Sequence, residues 1–243
     1  RFSSIHLHPS YAGGVGIGIN PALGKEIREA DLVVLVGGRM SEMPSSGYTL
    51  LDIPYPRQTL VHVHPDAEEL GRVYRPDLAI CADPASFAEA FAALDITGAE
   101  NRSERTARMH QSYLDWSTPP ETGPDGVHMG AVMAWIEENL PPETIFTNGA
   151  GNYATWLHRF HRFRNFATQA APTSMTGQEF ATAVRYELSI ITVLVNNSMY
   201  GTIRMHQERD YPARQSGTAL TNPDFAAYAR AFGGHGETVE KTE

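Results

Sequence analysis

The sequence predicts an α/β protein made of two doubly wound, parallel-sheet domains. Three observations carry this prediction. Short apolar runs recur along the chain with helical stretches between them. One of them, Leu32–Val36, is apolar throughout and ends in Gly37-Gly38, which suits a strand buried on both faces of a parallel sheet. A second series of such elements begins after a Pro/Gly-rich stretch at residues 117–126. The domains are accordingly read as residues 1–100 and 127–243, with 101–126 as the linker.

The first domain opens on the Gly-rich segment Tyr11–Gly18. Asn20-Pro21 is an N-cap followed by a first-turn proline, so a short helix is predicted through Glu29. After the strand at 32–36, strands are predicted at Thr59–Val63 and Leu78–Cys81, and Asp83-Pro84 starts a helix to Leu94. Residues Ser103–Trp116 read as helical. The second domain begins with an amphipathic helix near Val127–Leu140 and a strand at Thr144–Thr147. The loop Asn148–Asn152 leads into a helix at 153–160 that carries Trp156 and His158. A helix is predicted at Gly177–Tyr186. Ile190–Val195 is the most strand-like run in the chain and stops at Asn196-Asn197. Asn222-Pro223-Asp224 caps a late helix that ends at Gly233-Gly234.

Nineteen basic against 28 acidic residues give a net charge of −9, which argues against a general grip on nucleic-acid phosphates. The single cysteine, Cys81, cannot form an internal disulfide, so no secreted disulfide framework is expected. No apolar run reaches the ~20 residues of a membrane span. The N-terminal residues show no signal peptide, so a cytoplasmic location is the default.

In parallel α/β sheets, ligands bind at the carboxyl ends of strands. Two strand ends in the second domain attract attention. The glycine-rich loop after Thr147 has backbone N–H groups able to cradle a phosphate, although read alone a structural turn is the stronger reading. Asn196-Asn197-Ser198-Met199-Tyr200-Gly201 offers an amide oxygen and a nearby carbonyl, hard ligands suited to Mg²⁺. Read alone, this too is a turn first.

Context reverses that order. Residues 175–236, from Met175-Thr176-Gly177-Gln178-Glu179 through Asn196-Asn197-Ser198-Met199-Tyr200-Gly201-Thr202-Ile203-Arg204 to Gly233-Gly234-His235-Gly236, resemble the C-terminal domain of thiamine-diphosphate-dependent 2-oxoacid enzymes, with the acetolactate-synthase-like group closest. Ala30–Arg39 and Leu60–Asp66 resemble that family's central domain. The resemblance implies a thiamine diphosphate held through Mg²⁺ by a Gly-Asp-Gly…Asn-Asn motif. Asn197 would supply a side-chain oxygen and Met199 a backbone oxygen. Gly151, Asn152 and Tyr153 would line the diphosphate, and Tyr200 and Gly201 complete the cofactor-binding turn. The implied reaction is cleavage of a 2-oxoacid with ligation to a second carbonyl, at sites shared within a homodimer or homotetramer.

The Gly-Asp-Gly half of the motif is absent: the place of its aspartate falls on Ala170. Residues from Met175 onward keep the family's spacing, whereas Ala171–Ser174 resemble a different place. The two pieces look joined across an omitted segment of roughly thirty residues. Helices 153–160 and 177–186 would also follow each other without the strand that a parallel crossover needs. The segment is expected to exist and to lack order without metal and cofactor. A genuine deletion is the alternative, and an intact mass of 26.7 kDa would favour it. The family's catalytic glutamate belongs to an N-terminal domain with no counterpart here, so no catalytic residue is nominated and the chain by itself is expected to be inactive.

Other candidates are weighed against simpler roles. His62 and His64 share a strand face, where a structural role outweighs a metal pair. Cys81 reads as a small core residue. The basic group His158, Arg159, His161, Arg162 and Arg164 reads as a solvated helix face. Met205–Arg209 follow the Asn-Asn turn and either approach the cofactor or form an exposed helix. Arg39 ends a strand where relatives contact a nucleotide. The following Met40-Ser41-Glu42-Met43 departs from the acidic pair of FAD-binding relatives, which argues against FAD. Two further functions compete: a 2-oxoacid decarboxylase without carboligation, resembling benzoylformate decarboxylase, and a non-catalytic binding module. A nicotinamide-nucleotide domain is disfavoured because Gly13–Gly18 lacks a preceding strand.

Overall fold

The computed structural model describes residues 5–97, 102–123, 125–164, 171–172 and 177–242. The chain divides into two compact units, Ser4–Thr118 and a second formed chiefly by Pro119–Glu243.

In the first unit a 3₁₀ turn at Ile5–Leu7 precedes α1 (Pro21–Glu29), β1 (Leu32–Val36), β2 (Thr59–His64), β3 (Leu78–Cys81), α2 (Pro84–Ala92) and α3 (Ser103–Ser117). Asn20 caps α1 as predicted: its Oδ1 accepts from the Ala22 N–H, and Pro21 fills the first turn. Its Nδ2 donates to the Ser112 carbonyl, which ties α1 to α3 within this unit. Asp83 caps α2 by accepting from the Ala85 and Ser86 N–H groups.

The three strands pair in parallel in the order β1-β2-β3, with Val34 opposite Val61 and His62 opposite Ala79. The core gathers Met40, Leu50, Leu51, Leu60 and Tyr74, with Val33 and Leu35 packed against it from β1. The other face of β1 is open. Leu32, Val34 and Val36 remain 50%, 42% and 41% exposed, so burial of β1 on both faces is not realised. Gly37 turns the chain out of β1 with φ +69°, and its N–H donates to the Val63 carbonyl. This position needs glycine twice over: a Cβ there would also lie 2.9 Å from Pro84 Cγ.

The second unit contains α4 (Met129–Asn139), β4 (Thr147–Asn148), α5 (Ala154–Phe160), β5 (Ala171–Pro172), α6 (Glu179–Arg185), α7 (Gly201–Asp210) and α8 (Phe225–Ala231). Its core is Met133, Leu157 and Phe163, flanked by Ile136, Phe146 and Trp156 from α4, the β4 approach and α5. Asp224 caps α8 by accepting from the Ala227 N–H.

Three expectations for this unit are corrected. The strand at 144–147 shrinks to the two residues of β4, and Ile145 is 70% exposed. A two-residue strand, β5, does stand between α5 and α6 and pairs in parallel with β4. Ile190–Val195, the most strand-like run, is not a strand. Its side chains are exposed on both alternating faces, and among the described residues the backbone of 191–195 makes no hydrogen bond. The reason is non-local: β propensity becomes a strand only when a neighbour completes the ladder, and the β4–β5 pair does not extend to this run.

Candidate functional site

The site predicted from the sequence is built around two loops of the second unit. The first follows β4. Among the described residues, the backbone N–H groups of Gly149–Tyr153 donate no hydrogen bond, so they remain available to an anion. Tyr153 sits just before α5 and folds its ring back over the loop; a Cβ on Gly149 or Gly151 would run into it. Asn152 reaches the other way, its Nδ2 donating to Met205 Sδ at 3.3 Å. That contact links the β4 loop to α7, so Met205 does approach the predicted site. Asn148 was not singled out by sequence reasoning. Its Nδ2 donates to the Gly149 carbonyl, while its Oδ1 is buried and accepts nothing among the described residues. Its only sequence signal was an amide residue at a strand end.

The second loop is the Asn196–Tyr200 turn. Asn196 Oδ1 accepts from the Ser198 N–H and from Asn222 Nδ2, and Asn197 Oδ1 accepts from the Met199 N–H at 3.3 Å. These amide-to-backbone bonds hold the turn in the way Asx residues do. Ser198 takes φ +53°, a left-handed conformation costly for a side-chain-bearing residue. Hydrogen bonds Tyr200 N–H to Thr218 C=O and Leu220 N–H to Ser198 C=O then clamp the turn against Thr218–Leu220. Tyr200 leads directly into Gly201, the first residue of α7. A Cβ on Gly201 would lie 2.8 Å from Asn197 Nδ2, so a larger residue there would displace the Asn197 side chain. A cleft of about 280 Å³ lies beside the turn, walled by Asn197, Met199, Arg204, Ser216 and Thr218. Asn197 and Met199 both line this cleft.

These residues meet the demands of a magnesium-bound diphosphate only in part. The unused N–H groups of the β4 loop suit phosphate oxygens. The Asn197 amide and Met199 carbonyl are hard oxygen donors, but both are neutral. Mg²⁺ in phosphate sites is normally held by one or two carboxylates in addition to the phosphates. Residues 144–178 contain no Asp or Glu, and the same is true of 188–207. The carboxylates that border these stretches in sequence are Glu143, Glu179, Glu187 and Glu208; Glu208 accepts from the Ala213 N–H and lies 3.9 Å from Arg204. Among the described residues, no group of three or more acidic, His or Cys side chains could hold a metal. The charged side chain in the cleft wall is the Arg204 guanidinium, a cation itself.

Other predicted residues find plain roles. His62 Nε2 bonds to the Gly38 carbonyl at 2.9 Å, and His64 Nδ1 accepts from the Asp66 N–H. Cys81 is exposed rather than a core residue; it closes β3, an edge strand of the sheet whose residues are mostly exposed. The basic group is not a single solvated helix face. α5 ends at Phe160, and His161 turns inward against Phe146 and Phe163. Its Nδ1 lies 2.8 Å from Glu137 Oε2 without hydrogen-bond alignment. Burial therefore outweighs the carboxylate and holds the His161 pKa below its ordinary value; burial does the same for His158. Arg39 lies 3.8 Å from Glu69. No helix among the described residues is long and apolar enough to cross a membrane.

Two family models match separate parts of the chain. The family model described as thiamine pyrophosphate enzyme, central domain, matches residues 4–91. The model described as thiamine pyrophosphate enzyme, C-terminal TPP binding domain, matches residues 171–243. The chain is 26% identical to the acetolactate synthase large subunit of Parasynechococcus marenigrum, over 89% of this chain and 40% of the relative. It is 24% identical to the sulfoacetaldehyde acetyltransferase of Castellaniella defragrans, over 97% of this chain and 49% of the relative. It is 23% identical to the acetolactate synthase isozyme 2 large subunit of Escherichia coli, over 97% of this chain and 48% of the relative. The chain thus spans less than half the length of these relatives. The Escherichia coli alignment runs over 270 residues, longer than the chain itself, so some of the relative's residues lie opposite gaps in this sequence. With residues 4–91 and 171–243 matched by the central and C-terminal domains of one enzyme family, the chain belongs to the thiamine pyrophosphate enzymes.

Proposed function

We propose that the protein to which this chain belongs is a thiamine-diphosphate- and Mg²⁺-dependent enzyme that cleaves a 2-oxoacid and ligates the product to a second carbonyl compound, in the manner its acetolactate synthase relatives' names describe. The observation that carries this reading is the convergence of Asn197 and Met199 on one cleft, within a segment matched by a TPP-binding domain. When bound, the cofactor supplies the nucleophile and electron sink for 2-oxoacid chemistry. This chain's contribution is positional. The β4 loop offers backbone donors, the Asn197–Gly201 turn offers oxygens, and the Asn152–Met205 contact fixes the two to each other.

The catalytic carboxylate and much of the substrate pocket come from outside these residues, and the active form is a homodimer or homotetramer in the cytoplasm. Neither nucleic acid nor a membrane is a partner. The alternative within catalysis is a decarboxylase that releases an aldehyde without ligation. The test is product analysis of the full-length protein with pyruvate and with an aromatic 2-oxoacid, in the presence of Mg²⁺ and thiamine diphosphate. A ligated acyloin or acetohydroxyacid is the expected product. Free aldehyde alone selects the decarboxylase, and no thermal shift at saturating cofactor rejects both in favour of a non-catalytic module.

A further inference from the structure

We propose that Met205 is a modification site: oxidation of its sulfur to the sulfoxide breaks the contact that registers the β4 loop against α7, and so weakens cofactor binding. The inference rests on the reading given above, in which that loop and the Asn197–Gly201 turn serve one thiamine diphosphate.

The first observation is that the link is single. Asn152 Nδ2 donates to Met205 Sδ at 3.3 Å. Among the described residues, no other hydrogen bond joins residues 148–153 to α7 or to the Asn196–Tyr200 turn. The other side-chain bonds of the loop are local: Thr155 Oγ1 donates to the Asn152 carbonyl, and Asn148 Nδ2 to the Gly149 carbonyl. They set the shape of the loop itself and leave its spacing from α7 to the sulfur contact.

The second observation is access. Met205 is 48% exposed, whereas Met40, Met109 and Met133 are buried at 7%, 8% and 7%. Met43 is also exposed, but it belongs to the first unit, and its sulfur makes no hydrogen bond among the described residues. Met199 Sδ accepts from Arg204 Nη1 at 3.8 Å, a contact within the turn and the helix it leads into, so its oxidation would not act on the β4 loop.

The chemistry needs a hydroperoxide as co-reactant. The sulfur lone pair attacks one peroxide oxygen, the O–O bond breaks and an S–O bond forms. Sulfur loses two electrons, and the peroxide gains them and leaves as water or an alcohol. The thioether thereby becomes polar and chiral. An N–H···O bond alone takes up about 2.9 Å, so an oxygen cannot be inserted into the present N···S contact. A sulfoxide that points its oxygen at Asn152 pushes the loop away from α7. One that points it at water leaves Asn152 facing a sulfur drained of electron density. Either way the link is lost at its present spacing, and the backbone donors of the loop no longer stand in register with the oxygens of the turn.

The test uses the full-length protein with Mg²⁺. Thiamine diphosphate affinity is measured by calorimetry before and after limited hydrogen peroxide treatment, and peptide mass mapping reports which methionines are oxidised. Met205 is expected to be oxidised ahead of Met40, Met109 and Met133. Affinity is expected to fall at least about fivefold when Met205 is fully oxidised, and to recover after treatment with methionine sulfoxide reductases for both epimers. Unchanged affinity at full Met205 oxidation overturns the inference. Met205→Leu removes the oxidisable sulfur, so its affinity, whatever its starting value, is expected to be insensitive to peroxide. An equal fall in that variant places the effect at another residue and also overturns the inference. Untreated protein that takes up no thiamine diphosphate fails the proposed function and this inference together, whereas uptake unmoved by oxidation fails this inference alone.

Discussion

Replacing Ile191 with lysine distinguishes an unpaired apolar run from a buried strand. Ile191 is 74% exposed, so only about a quarter of its side chain is shielded from water. Full burial of such a side chain is worth about 1.5–3 kcal/mol, so the substitution forfeits roughly 0.5 kcal/mol of hydrophobic stabilisation. The ammonium group reaches water directly and costs nothing further in desolvation. Were 190–195 an interior strand, the same change would remove the full burial energy and force a charge into the sheet, a loss of about 4 kcal/mol or more. Urea denaturation of the chain and of Ile191→Lys, followed by circular dichroism, reads the difference directly. A midpoint shift corresponding to less than about 1 kcal/mol is expected, together with higher solubility because a charge now interrupts the β-prone run. A loss above about 2 kcal/mol would refute the description of 190–195 as an exposed, unpaired run.

Two other perturbations follow from the structure. Gly37→Ala places a Cβ in a left-handed backbone and 2.9 Å from Pro84 Cγ; a destabilisation of about 2 kcal/mol or more is expected in a denaturant melt, and a neutral effect would contradict the β1 exit turn. His161 and His158 have lowered pKa values in the fold, so the unfolded chain binds more protons than the folded one near and below the ordinary histidine value. Stability is therefore fully present above about pH 6.5 and is lost as pH falls below it. A lower melting temperature at pH 5.5 than at pH 7.5 is expected, with a shallower slope in His161→Gln; an unchanged slope would deny His161 this role.

The parts of the fold that could be read from the sequence are those fixed by local chemistry. Asn20-Pro21, Asp83-Pro84 and Asp224 announce helix starts because a short polar side chain can satisfy orphan N–H groups within its own turn. Leu32–Val36 pairs as predicted because its partner, Thr59–His64, is present and close in sequence. Ile190–Val195 has the stronger strand composition and fails, since the ladder depends on a neighbour that composition cannot report. The inward turn of His161 toward Glu137, 24 positions earlier, is likewise a tertiary event with no local signature. In the site, the Asn197–Gly201 turn was legible because its own side chains build it. The Tyr153 ring over Gly149 and Gly151, the Asn152–Met205 link and the unsatisfied Asn148 depend on packing and were not.

The central claim is that Asn197 is a metal donor in a site completed from outside these residues. It is tested most directly by the Mn²⁺ affinity, with thiamine diphosphate present, of a chimera in which residues 177–243 replace the matching residues of the Escherichia coli relative, with and without Asn197→Ala. Loss of one oxygen ligand is predicted to weaken Mn²⁺ binding by at least about tenfold, the scale set by removal of groups that support a metal site. Equal affinity in the chimera and its Asn197→Ala variant would contradict the account.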